Sequence, residues 1–225
     1  RSTKREIIVT LQFFLPHYCW NMKVCVVGTG YVGLSLAVLL SQKYETVALD
    51  ISKDRVELIN NKVSPIKDSE LEDYLQNKSL NLKATTNKKE AYLNADYTVI
   101  AAPTDYDINS GSFDTSTVEQ IISDCIETNP EAMIVIKSTI PLGFTDKMRN
   151  KFNTKNILFS PEFLRETRAL YDNLYPSRIV IGDKSKKAVD FGKMLLSCSL
   201  KSMEETKLFN MDSKEAEAVK LFSNT

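Results

Sequence analysis

The chain has 225 residues, 43% hydrophobic and 26% charged, enough apolar content for one large domain or one domain plus a piece of another. Lys+Arg and Asp+Glu number 29 each, and this balance argues against a nucleic-acid surface or an acidic tail. Cys19, Cys25, Cys125 and Cys198 show no CxxC spacing and the single histidine is His17, which argues against structural zinc and a disulfide scaffold and points to reduced thiols in a cytoplasmic protein.

Residues 1–21 stand outside the pattern that follows. Arg1 to Arg5 is basic and Ile7 to Leu15 mostly apolar, the outline of a signal peptide. The apolar run is short, however, and Pro16-His17-Tyr18-Cys19-Trp20 offers no small-x-small cleavage site. The reading adopted is a leader or scar outside the domain, with the domain starting at Met22. No stretch is long enough to span a bilayer.

The apolar strand Lys23 to Val27 runs directly into Gly28-Thr29-Gly30-Tyr31-Val32-Gly33, and a helical run from Leu34 to Gln42 follows. Gly28 permits the tight turn out of the strand, Gly30 lets a pyrophosphate approach the backbone, and Gly33 lets helix and strand pack closely. The N–H groups at the helix start face the phosphates. A second strand, Thr46 to Leu49, ends in Asp50, 22 residues after Gly28. A carboxylate there accepts from the ribose hydroxyls and repels a 2′-phosphate, so NAD is the expected cofactor. A structural glycine turn of another α/β protein is the competing reading, and the strand and helix flanking the motif weigh against it.

Beyond Asp50, helices are expected over 53–61, 68–77 and 88–94, with Ala91 and Ala95 inward and a short strand over 80–84 between the last two. Tyr97 to Ala102 is a strand whose end, Pro103-Thr104, faces the rim of the glycine loop in a parallel sheet. Thr104 there is either a cofactor contact or a plain turn residue. Residues 105–113 read as a loop. A helix over 115–128, a strand over 132–137, the turn Ser138 to Gly143, a helix over 145–152 and a strand over 156–159 complete the alternation. The fold class is α/β, a Rossmann-like doubly wound parallel sheet. The domain is expected over 22–210, with a strand over 178–182 and a helix over 184–197. Residues 211–225 read as the start of a helix that Asp212 or Ser213 can cap.

Two side-chain pairs are candidates for chemistry, though composition alone favours a plain structural role for each. Glu162 and Glu166 lie either on one helical face, or with Glu162 in the loop and only Glu166 in the helix. Paired carboxylates hold a proton or order a water, and acidic residues at a helix start also simply favour the dipole. Lys220 and Asn224 are four apart and project from one face. Together they can hold an oxyanion; alone they read as a solvated face.

Taken together, GTGYVG (28–33), Asp50, Ala102 to Thr104, Lys137 to Phe144, Ser160 to Glu166, Ala169 to Arg178 and Glu215 to Thr225 closely resemble the nucleotide-sugar dehydrogenase family, in particular its UDP-glucose branch, from Met22 onward. The resemblance implies oxidation of the C6 hydroxymethyl of UDP-glucose to a carboxylate with two NAD per turnover, through a thiohemiacetal and a thioester on a cysteine. It implies that Thr139 and Glu166 hold a water, that Glu162 assists thioester hydrolysis, and that Lys220 and Asn224 stabilise the oxyanion. Gly28, Gly30, Tyr31, Val32, Gly33, Asp50, Arg55, Thr104 and Thr139 would bind NAD. Glu162, Phe163, Leu164, Arg165, Lys220 and Asn224 would contact the substrate. Arg55 replaces a residue that is often lysine. The family's nucleophilic cysteine lies in a glycine-rich loop beyond the central helix, and none of the four cysteines here has that context. The chain is therefore expected to bind NAD without completing the four-electron oxidation. UDP-N-acetylmannosamine or GDP-mannose is the alternative substrate, and a non-catalytic NAD-binding module the alternative role. The full-length protein would be a homodimer with neither nucleic acid nor membrane as partner, and the central helix would show an apolar face.

Overall fold

The structure is a computed structural model that describes residues 22–107, 112–202 and 204–223. The leader and Asn224 lie outside the described residues.

Six strands form one parallel sheet: β1 (Lys23–Val27), β2 (Glu45–Leu49), β3 (Leu82–Thr85), β4 (Tyr97–Ile100), β7 (Met133–Ile136) and β8 (Ile157–Phe159). Two short strands, β5 (Tyr106–Asp107) and β6 (Ser112–Phe113), lie between β4 and β7 in the chain. The order across the sheet is β3-β2-β1-β4-β7-β8. The chain moves outward from β1 in one direction, then returns to its other side at β4, so the order reverses between β1 and β4. Val27 pairs with both Leu49 and Ile100, which brings the ends of β1, β2 and β4 to one rim. Ligands of such sheets bind outside the carboxyl ends of the strands at this reversal.

Alternate residues of β1 face opposite sides. Val24 and Val26 join a core with α1 (Tyr31–Ser41), α2 (Lys53–Asn60), α3 (Ser69–Asn77), α7 (Ala169–Leu174) and α8 (Lys186–Cys198). Cys25 and Val27 join a second core with α4 (Lys88–Tyr92), α5 (Ser116–Thr128), α6 (Phe144–Lys151) and Ala216 of α9 (Ser213–Ser223). Two-sided burial is why these strands read as apolar runs. Ala91 and Ala95 point inward as expected.

Three sequence readings need correction. The segment over 105–113 is not wholly loop: β5 and β6 pair antiparallel, with Tyr106 opposite Phe113 and their rings 5.1 Å apart. A cross-strand aromatic pair supports even so short a ladder. The helix after the glycine motif begins at Tyr31, because Gly30 already accepts from the Leu34 N–H at 2.9 Å. A strand that sequence reading passed over, β10 (Lys207–Asn210), pairs in parallel with β9 (Arg178–Ile181). This ribbon meets β8 through the Gly182 N–H, which donates to the Phe159 carbonyl at 2.7 Å.

At the start of α9 the Asp212 N–H donates to Glu215 Oε2 at 2.9 Å, half of a capping box. The helix buries Ser213, Ala216, Glu217 and Lys220, while Phe222 is 79% exposed. Among the described residues no helix is long and apolar enough to cross a membrane.

Candidate functional site

The glycine motif takes the form its spacing implies. Gly28 has φ of +93°, and a Cβ there would sit 2.7 Å from the Ala101 carbonyl oxygen. A Cβ on Gly33 would lie 1.9 Å from the Gly28 carbonyl oxygen, so helix and strand touch backbone to backbone. Around Gly30 the reverse holds: a Cβ would meet nothing within 4 Å. That open surface at the start of α1, with its N–H groups facing outward, fits a pyrophosphate. Tyr31 and Val32 line the same turn, half-buried.

Asp50 ends β2 beside this turn. Its Oδ2 accepts from the Thr29 N–H at 2.8 Å and the Thr29 hydroxyl at 2.5 Å, and its Oδ1 from the Ser52 N–H at 2.9 Å. Burial alone would raise its pKa; the hydrogen bonds from Thr29 and Ser52, with the Arg55 charge, outweigh burial and hold it below the usual carboxylate value. Of about four acceptor positions on a carboxylate, three are filled from within the chain, which leaves Oδ1 as the oxygen open to a ribose hydroxyl. Arg55 donates to the Thr29 carbonyl at 3.0 Å and closes the ring of contacts. Thr29, 1% exposed, is a site residue that sequence reasoning missed. Its only signal was a hydroxyl residue between two glycines.

Thr104 follows β4, half-buried, and Thr139 follows β7 on the same rim, also half-buried. Ser138 donates to the Ala102 carbonyl at 2.6 Å and ties the two strand ends together.

A second cluster gathers past β8. Glu162 lies in the loop, not on a helix, and Glu166 opens a single 3-10 turn (Glu166–Arg168) with its side chain exposed. Glu162 Oε2 accepts from the Leu164 N–H at 2.8 Å, and Oε1 from Lys220 Nζ at 2.6 Å. Lys220 also donates to the Glu162 carbonyl at 3.0 Å. The two side chains are 17% and 6% exposed, so Lys220 is not a solvated face residue. Glu166 enters none of these bonds.

Lys137, at the end of β7, joins this cluster and was not singled out from the sequence. Its ammonium donates to Ser160 Oγ at 3.0 Å and reaches the Pro161 carbonyl at 3.5 Å. Burial lowers its pKa to about 8; Glu162 opposes that shift and Lys220 adds to it. A cavity of about 390 Å³ opens beside the cluster, with Lys137, Glu162, Phe163, Arg165 and Arg178 in its wall. The Arg178 guanidinium stacks on the Phe163 ring at 4.0 Å, and Arg165 forks onto Asp172 at 2.5 and 3.1 Å. These contacts brace the Phe163–Arg165 stretch.

Cys25, Cys125 and Cys198 are all buried, and burial pushes the Cys125 and Cys198 thiols up to about 11 and Cys25 higher still. A thiolate nucleophile needs the opposite environment.

The model of the UDP-glucose/GDP-mannose dehydrogenase family NAD-binding domain matches residues 22–197. The UDP-glucose 6-dehydrogenase of Streptococcus pneumoniae is 51% identical over 210 residues, 91% of this chain and 53% of that protein. Among solved structures, a UDP-glucose dehydrogenase from Pyrobaculum islandicum superposes with a TM-score of 0.81 at 28% identity, over 93% of this chain and 50% of that one. A ternary complex of GDP-mannose dehydrogenase from Pseudomonas aeruginosa superposes with a TM-score of 0.79 at 27% identity, over 90% and 49%. The chain thus spans about half the length of the relatives it matches. The family-model match and the 51% identical relative show, in keeping with the glycine cradle and Asp50 beside it, that the chain belongs to the UDP-glucose/GDP-mannose dehydrogenase family and carries its NAD-binding domain.

Proposed function

We propose that this chain supplies the NAD site and part of the catalytic site of a UDP-glucose 6-dehydrogenase, which oxidises UDP-glucose to UDP-glucuronate in two hydride transfers. The observation that carries this reading is the Glu162–Lys220 pair, its lysine buried and its carboxylate in the wall of a cavity, on a chain 51% identical to a UDP-glucose 6-dehydrogenase.

NAD, when bound, accepts the hydride. Gly28, Gly30, Tyr31, Val32 and Gly33 would hold its pyrophosphate, Asp50 and Arg55 its adenosine ribose, and Thr104 and Thr139 the rim nearer the reaction. Lys220 has three N–H bonds and spends two on Glu162, so one remains for the substrate oxygen. That donor, together with Asn224, would stabilise negative charge as it develops. Glu162, already held by Lys220 and the Leu164 N–H, keeps free lone pairs for a proton or a water. Thr139 and Glu166 would order the water that hydrolyses the acyl intermediate. Phe163, Leu164 and Arg165 would line the sugar-nucleotide side.

The reading places the nucleophilic cysteine outside the described residues, since the three described thiols are buried and held protonated. The test is NADH formation by the whole protein with UDP-glucose, GDP-mannose and UDP-N-acetylmannosamine in parallel, alongside NAD titration of the chain alone. Turnover chiefly with UDP-glucose supports the proposal. Preference for another sugar moves the chain to a different branch, and NAD binding without turnover by the whole protein would make it a binding module.

A further inference from the structure

Glu217 is a carboxylate with no exposed surface. It sits on α9 but spends its oxygens on a different element. Oε2 accepts from the Gly143 N–H at 2.5 Å, and Oε1 from the Thr145 N–H at 2.9 Å and the Thr145 hydroxyl at 2.7 Å. These donors are the first turn of α6. Its N-cap is Gly143, at φ +83°, which has no side chain to cap the helix. Glu217 supplies that cap from 72 residues away and places its charge at the positive end of the α6 dipole. A buried carboxylate is tolerated only where donors replace its water, and here three do.

The consequence is positional. Lys220 lies three residues after Glu217, on the same face of α9. Gly143 closes the loop that opens with Ser138 and Thr139. One side chain therefore pins both the helix that carries Lys220 and the loop that carries Thr139. Ser213 donates to Asp146 Oδ1 at 3.0 Å and adds a second tie between α9 and α6, one turn back from Glu217. Without the Glu217 anchor, α9 keeps the Ser213–Asp146 tie, the packing of Ala216 and the Lys220–Glu162 pair itself, and loses its hydrogen bonds to the Gly143 end of the Thr139 loop.

We propose that Glu217 is a positioning residue for the candidate catalytic site, setting α9 against α6 so that Lys220 meets Glu162 beside the Thr139 loop. The catalytic meaning of this rests on the dehydrogenase reading; the geometry does not.

The test reads position without turnover. Lysines of the folded chain are acetylated by an amine-reactive ester, and the rate at each is followed by peptide mass spectrometry. Glu217→Gln keeps the shape but turns an amide N–H₂ toward the α6 donors. It is expected to speed labelling of Lys220 roughly tenfold, because losing a cap opens the local structure by about that factor. Asp68→Asn is the control. Asp68 is also a buried helix-capping carboxylate, bound to the Leu71 and Leu170 N–H groups, and touches neither α6 nor α9. It is expected to destabilise the chain without speeding Lys220. Should Glu217→Gln not fold, Thr145→Val removes one of the three donors and is expected to speed Lys220 about threefold. Unchanged labelling of Lys220 in a folded Glu217 or Thr145 variant overturns the proposal, and so does equal acceleration in Asp68→Asn. In the whole protein, Glu217→Gln is expected to lower kcat more than it raises KM for the sugar nucleotide. Absence of all turnover in the unaltered protein would reject the dehydrogenase reading and leave the labelling result standing.

Discussion

Lys220 and Glu162 are 58 residues apart in the chain and 2.6 Å apart in space, with the lysine side chain 6% exposed. A pair so enclosed is costly to break from one side, because the survivor keeps its charge and loses its partner. Lys220→Met is expected to cost the chain about 2–4 kcal/mol in urea unfolding. Adding Glu162→Leu should recover most of that loss. A double variant as unstable as the sum of the two single ones would show that the pair does not couple.

The glycine motif separates folding from binding. Gly33→Ala drives a methyl to 1.9 Å from a backbone oxygen, and a destabilisation of at least about 3 kcal/mol is expected by thermal or urea unfolding. Gly30→Ala meets no atom within 4 Å, so the fold should survive within about 1 kcal/mol. NAD affinity of that variant, measured by calorimetry, should fall at least about tenfold, since the methyl occupies the pyrophosphate's approach.

Thr29 holds Asp50, the carboxylate proposed for the adenosine ribose. Thr29→Val deletes the hydroxyl donor to Asp50 Oδ2 and is expected to weaken NAD binding by about three- to tenfold. The pH dependence should move too. Asp50 is depressed below its ordinary value, so its contribution is full above that value and fades as pH falls through the folded one. Removing a bond that depresses it should make NAD binding fail at a higher pH in the acid range. Superimposable acid limbs for the two proteins would count against this role.

Lys137 predicts an effect in the alkaline range. Its folded pKa is lowered to about 8 from an ordinary value of 10.5. Below pH 8 both folded and unfolded chains carry the proton, and the burial penalty is present in full. Between those two values the unfolded chain binds more protons, so Lys137 makes stability rise with pH, by up to about 3 kcal/mol. Lys137→Met should abolish that rise in urea midpoints measured across the alkaline range.

Much of this chain is legible in one dimension. Gly28, Gly30 and Gly33 have roles set by backbone sterics within six residues, and each behaves as its place in the motif requires. Asp50 is legible because a strand of fixed rise delivers its end to the same rim. Cys25 stands in an apolar strand and Cys125 on the apolar face of a helical run, and both are fully buried. The strand β10 was not legible: Lys207-Leu208-Phe209-Asn210 does not alternate polar and apolar residues, and pairing with β9 makes it a strand. Likewise β5 and β6, two residues each, show as strands only through their antiparallel pairing and the Tyr106–Phe113 ring contact.

The site divides in the same way. Glu162 and Glu166 admitted a shared helical face or a loop-and-helix arrangement, and packing chose the latter, sending Glu162 to Lys220 and leaving Glu166 exposed. Lys137 and Glu217 look like ordinary charged residues until the fold removes their water. The α/β alternation, the dinucleotide turn and its acidic partner follow from the order of residues alone, because backbone geometry and periodicity act over a few residues. Which charges come together away from water follows from the packing, because it depends on which distant elements share a face of the sheet and on how many donors replace the solvent each charge gives up.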